Sequence, residues 1–133
     1  MSFNLADQQR RFICIGAALG LLAVFLGAFG AHALKGSLSE SALNQYRIGV
    51  AYQFYHIGAI LFGALAINIA GRPGLLIKAL WGFVLGIVLF SGSLVLLALS
   101  GAKYFALATP LGGIVFLVSW AGLFMAFLKN SKE

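Results

Sequence analysis

The chain has very little charge. Of its 133 residues 9% are charged, and only three of these are acidic: Asp7, Glu40 and Glu133. Soluble domains carry about a quarter charged residues, so a chain this poor in charge cannot cover a water-facing surface, and a soluble globular fold is excluded. No acid lies within the long apolar runs, so no carboxylate is at hand to orient a histidine base beside a serine nucleophile. No catalytic residue is assigned, and the chain reads as non-enzymatic. The single cysteine, Cys14, has no intrachain partner and leaves the redox compartment open. Lying in an apolar run, it reads as a small packing residue. The two prolines, Pro73 and Pro110, fall outside or at the edge of the apolar runs.

Apolar residues are plentiful. Hydrophobic side chains make up 62% of the chain, and the mean hydropathy is +1.01. Four stretches, at about 12–34, 49–70, 79–99 and 105–128, are each long enough to cross a bilayer as a helix. They lack polar/apolar alternation, and an open sheet in hydrocarbon would leave backbone groups unpaired, so strands are disfavoured. The expectation is an all-α, four-helix transmembrane bundle forming one integral membrane domain over residues 1–133.

The net charge is +6, but the nine basic residues are scattered singly or in pairs. They form no stripe of the kind that neutralises phosphates, so nucleic acid is not an expected partner and the lipid bilayer is. The basic residues read instead as topology signals. Arg10, Arg11, Arg72, Lys78, Lys129 and Lys132 fall on one side of the four spans, and Lys35, Arg47 and Lys103 on the other. The richer side faces the cytoplasm by the positive-inside rule, which places both termini there.

The stretch "GAFGAHAL" at 27–34 follows an arginine pair and an apolar run, as the end of a signal peptide would. The run is longer than the h-region of about 7–15 residues such a peptide carries. Gly16, Gly20, Ala23, Gly27 and Gly30 also recur on one helical face, the pattern that lets a second helix come close in lipid. Span 1 is therefore expected to be retained, with this face packing a neighbouring helix or a second copy in a homo-oligomer.

Between spans 1 and 2, "GSLSESALNQYR" places Ser37 three residues before Glu40, which fits a capping box. Two readings stay open here: a short amphipathic helix at the outer interface, or an extension of the second helix. "GRPG" at 71–74 marks a turn. In "ATPLGG", Thr109 is placed to cap a helix starting at Pro110.

Polar side chains within the spans are costly in hydrocarbon and are expected to face the bundle interior. In span 2, Gln45, Gly49, Tyr52, Gln53, His56, Ile60 and Gly63 share about a third of the helix circumference. Span 3 adds Ser91 and Ser93 around Gly92, span 1 adds His32, and span 4 adds Thr109, Gly112 and Gly113. With the topology above, these residues form one polar layer in the outer half of the membrane. Such a layer serves as structural glue, since serine, glutamine and histidine can tie helices together. Alternatives are a haem or metal held by His32 and His56, or proton or solute passage with His56 as relay. Neither is adopted: no cofactor and no metal site are assigned, because the glycine face and His32 point apart on span 1 and the inner half offers only Asn68 and Ser119. Trp81 and Trp120 receive no chemical role, and Gly86 and Gly122 read as packing notches.

The motifs "GAFGAH" at 27–32, "YQFYH" at 52–56, "FSGSL" at 90–94 and "TPLGG" at 109–113, with Trp120 beyond, run in order along almost the whole chain. Together they resemble the family of small membrane proteins known as domain of unknown function 423, which includes bacterial proteins of the YgdD and YwdK type and is similar to transmembrane protein 256. The resemblance implies a four-helix, multi-pass protein of the bacterial inner membrane with no established activity, and so supplies no catalytic residue. The leading expectation is a structural or accessory membrane module, alone or with a membrane-protein partner.

Overall fold

The computed structural model describes residues 4–128. Lys129 and Lys132, two of the expected topology signals, lie outside the described residues, as does Glu133. Four membrane-length helices make up the bundle: α1 (Leu5–His32), α2 (Glu40–Leu65), α3 (Pro73–Ser100) and α4 (Ala108–Phe127). Among the described residues there is no strand.

Local chemistry sets the ends of the helices. Asn4 caps α1 by accepting from Ala6 N at 3.1 Å. Ser39, not Ser37, caps α2 by accepting from Ala42 N at 3.1 Å, while Ser37 donates back to Ala33 O at 3.3 Å. The capping box expected at Ser37 therefore does not form. Nor is there a separate interfacial helix: residues 40–48 are the first turns of α2. They stay helical and upright because Leu43 and Tyr46 find an apolar site among Leu34, Val50, Val95 and Ala98, which is more favourable than resting at the interface.

Helix α3 starts at Pro73, where a missing N–H costs nothing. It ends at Gly101, whose left-handed φ of 68° closes the last turn through Gly101 N–H to Leu97 O. A 3₁₀ turn, Lys103–Leu107, leads directly into α4. Thr109 therefore sits inside the first turn and caps nothing, contrary to the expectation for "ATPLGG".

The midpoint of α3 departs from regular geometry. Residues Ile87–Gly92 form a π-helical turn, in which hydrogen bonds reach one residue farther and the helix widens. Neighbouring helices clasp this turn through glycines. A Cβ on Gly49 of α2 would lie 3.1 Å from Ser91 O, and one on Gly112 of α4 would lie 2.8 Å from Phe90 Cα. At Gly112 the Phe90 backbone leaves no room for a Cβ, and at Gly49 the fit would be tight.

Packing contacts fix the antiparallel register. Gly30 faces the Tyr46 ring, Gln53 bonds Leu19 O and Gly16 faces Leu61, aligning α1 with α2. Gly63 faces Leu80, aligning α2 with α3; Gly82 faces Ser119 and Gly86 faces Phe116, aligning α3 with α4. The described chain ends meet on one side of the bundle, where Arg72 N–H donates to Ala126 O at 3.0 Å.

The small-residue face of α1 is only partly used. Gly16, Ala23 and Gly30 are buried, whereas nothing lies within 4 Å of a Cβ on Gly20, and one on Gly27 would meet only Val50 at 3.8 Å. The buried part of the face packs on α2 of the same chain, through Leu61 at Gly16 and Tyr46 at Gly30. Gly20 and Gly27 fall at its margin because 3.6-residue periodicity carries a straight stripe around the helix. Cys14 is exposed on α1, not packed as expected.

Candidate functional site

The polar side chains of the spans do not form a single layer. His56 stands level with residues near Leu19 of α1, with Phe83 of α3 and with Phe116 and Trp120 of α4, close to the midpoint of each helix. Ser93 and Thr109 pair roughly 12 Å nearer the 101–107 connection, at about 1.5 Å rise per residue. His32, exposed at the end of α1, lies about 20 Å along the axis from the level of His56. The common level in the outer half is thus overturned. The cause is the extra turns at the start of α2, which lower His56 to mid-height, and the early start of α3, which leaves Ser93 well above the centre while Ser91 stays level with Gly49 and Gln53.

At mid-height the centrepiece is His56, only 4% exposed. Its Nδ1 lies 2.6 Å from Tyr52 O, one turn back on the same helix. Its Nε2 accepts from the indole Nε1–H of Trp120 at 3.1 Å. A carbonyl on one side requires a proton on Nδ1, and an indole donor on the other requires a bare Nε2, so the ring is read as the neutral Nδ1–H tautomer. The imidazole also stacks on Phe116, with centroids 3.5 Å apart and planes within 6°. Phe83 completes an aromatic surround, lying 5.7 Å from His56 and edge-on to Trp120. Trp120, given no role by sequence reasoning, is the residue that spends the second nitrogen of His56. The distance along the chain from 56 to 120 hides that pairing.

The other polar residues act locally. Gln53 donates to Leu19 O at 3.1 Å and ties α2 to α1. Tyr46 does the same through Leu26 O. Ser93 donates to Phe90 O at 2.9 Å and shares a second bond, 2.6 Å, with Thr109 Oγ1 of α4. Ser119 bonds Val115 O on its own helix.

Ser91 is the exception. It is 1% exposed and its hydroxyl has no hydrogen-bond partner. Ser93, Ser100 and Ser119 all bond a carbonyl three or four residues back, whereas Ser91 sits in the π turn, where the backbone spacing differs. The motif "FSGS" carried a usable signal, since a glycine among serines marks places where helices deform.

These positions separate the candidate residues. Tyr52, Gln53, His56 and Trp120 gather around the middle of α2, and Tyr52 is 40% exposed on the lipid side. Ser93 and Thr109 form a second, separate pair. His32 joins neither group, so the two imidazoles of the ligand-pair alternative are not brought together. Among the described residues no group of three or more His, Cys, Asp or Glu side chains converges.

A groove of about 340 Å³ opens toward lipid between α2 and α4, beside this centre. Its walls are mainly aromatic: Tyr52, Tyr55, His56, Phe90, Phe116 and Trp120, with Gly113 and Leu117 completing it.

Residues 26–113 match a family model described as Protein of unknown function (DUF423). The chain is 42% identical over 119 residues to the UPF0382 membrane protein YwdK of Bacillus subtilis (strain 168), covering 89% of this chain and 96% of that protein. It is 41% identical over 127 residues to the UPF0382 inner membrane protein YgdD of Escherichia coli (strain K12), covering 92% and 94%. No solved structure matches the chain. With four membrane-length helices and relatives of this closeness, the chain is a multi-pass protein of the inner membrane and belongs to the DUF423 family.

Proposed function

We infer that this protein is a non-enzymatic accessory or structural module of the inner membrane, with both termini cytoplasmic and with other membrane proteins as its partners. The observation that carries this reading is the pairing of His56. Both ring nitrogens are engaged by Tyr52 O and the Trp120 indole, so the one imidazole at mid-membrane has no nitrogen left for a metal, a haem or a proton in transit. Gln53, Tyr46, Ser93 and Thr109 are likewise spent in joining helices. Interhelical hydrogen bonds of this kind contribute about 0.6 kcal/mol on average in membrane bundles. The described acids, Asp7 and Glu40, lie in the first turns of α1 and α2, away from His56, where no carboxylate orients it.

The test uses the full-length protein purified in mild detergent and then reconstituted in liposomes. It should be colourless and free of stoichiometric metal, and its liposomes should leak protons no faster than protein-free vesicles. A Soret band, a bound metal, or a proton flux abolished by His56→Ala would overturn the reading.

A further inference from the structure

The aromatic groove between α2 and α4 contains an anomaly. Tyrosines in membrane proteins collect at the interfaces, where the ring is buried and the hydroxyl is wet. Tyr55 adjoins His56 near mid-height, and Tyr52 stands only about 6 Å nearer the interface. The hydrocarbon half-thickness is about 15 Å, so even an extended tyrosine ring here keeps its hydroxyl inside hydrocarbon. Tyr52 and Tyr55 are nevertheless 40% and 61% exposed, with ring centroids 5.6 Å apart. Tyr46 uses its hydroxyl to bond Leu26 O, but among the described residues the hydroxyls of Tyr52 and Tyr55 have no such partner. Leaving a polar group unpaired in an apolar medium is costly.

The groove itself narrows the choice of partner. Straight acyl chains gain nothing particular from aromatic walls and offer no acceptor at this depth. A flat ring gains stacking against Trp120 and Phe90. Carbonyl oxygens on that ring would accept from the two phenols. An attached hydrocarbon tail would leave through the lipid-facing opening. The His56 nitrogens are already engaged, so His56 supplies a wall and no hydrogen bond.

We propose that the groove between α2 and α4 binds a planar, carbonyl-bearing ring dissolved in the bilayer, of the quinone class, with the hydroxyls of Tyr52 and Tyr55 as its hydrogen-bond donors. The proposal concerns binding alone and adds a ligand to the accessory role.

Trp120 lines the groove and reports on it directly. The chain has two tryptophans, and Trp81 packs elsewhere against Phe12, 5.2 Å between centroids, so Trp81→Phe leaves Trp120 as the sole tryptophan, excited selectively at the red edge of its absorption. Decylubiquinone titrated into this variant in lipid nanodiscs should quench its fluorescence along a saturating curve. Decanol, which has the tail without the ring, should not displace it. The double variant Tyr52→Phe, Tyr55→Phe removes only two exposed hydroxyls and should bind about tenfold more weakly, as expected for two modest hydrogen bonds, with unchanged thermal stability. Quenching that rises linearly and is identical in the double variant would mean mere partition into the bilayer and would overturn the proposal. So would near-complete disulfide cross-linking of Tyr55→Cys in a Cys14→Ser background in native membranes, which would assign the groove to a second copy of the chain.

Discussion

Trp120 donates its indole N–H to His56 Nε2 across 3.1 Å, linking α4 to the centre of α2. The bond lies at mid-membrane, where no water competes, and the stacked Phe116 ring holds the imidazole in plane.

Removing either partner should therefore destabilise the bundle. Trp120→Phe keeps an aromatic ring but leaves Nε2 without a donor, and His56→Ala also loses the stacking. A double-mutant cycle followed by thermal melting in detergent should give a coupling of about 1 kcal/mol, within the range for membrane hydrogen bonds. Additive effects of the two substitutions would show that the bond contributes nothing.

The two serines around Gly92 should respond in opposite ways. Ser93→Ala cuts the tie to Thr109 and should cost about 1 kcal/mol. Ser91→Ala deletes a buried hydroxyl that has no partner, and should be neutral or stabilising. A destabilised Ser91→Ala protein would reveal a bond that Ser91 makes in the membrane.

Glycines offer a similar contrast. A Cβ on Gly112 would come 2.7 Å from Phe90 Cβ, against a backbone that cannot yield, so Gly112→Ala should cost roughly 1–3 kcal/mol. Gly20 has open space around its Cβ position, so Gly20→Ala should gain up to about 1 kcal/mol from helix propensity alone. Melting temperatures of the two variants, compared side by side, decide the matter; equal shifts would contradict the packing described.

Orientation can be read by chemical labelling. In a Cys14→Ser background, cysteines at Lys35 and Lys103 should react with a membrane-impermeant maleimide added to spheroplasts, and a cysteine at Asn4 should react only after lysis. The reverse pattern would invert the topology.

Much of the plan was legible in the sequence because hydrocarbon imposes simple rules. Runs of apolar residues near twenty long had to become helices, and a turn had to fall at "GRPG". Of the α2 stripe read from period alone, Gly49, Gln53, His56, Ile60 and Gly63 are buried, whereas Gln45 is half-buried and Tyr52 is exposed toward lipid. Levels along the membrane were not legible. Those depend on where each helix begins, and α2 begins at Glu40 because Leu43 and Tyr46 meet α1 and α3, an encounter no local propensity specifies.

By itself, then, the sequence determined the solvent, the helix count and the inward face of α2, since each follows from the local cost of unpaired polar atoms in lipid. Only the tertiary structure decided that His56 pairs with Trp120, that Ser91 goes unpaired in a π turn, and that Tyr52 and Tyr55 border an open groove. Such facts depend on register and on close backbone approach between helices far apart in the chain. A difference of one turn, about 5.4 Å, would pair the same residues differently.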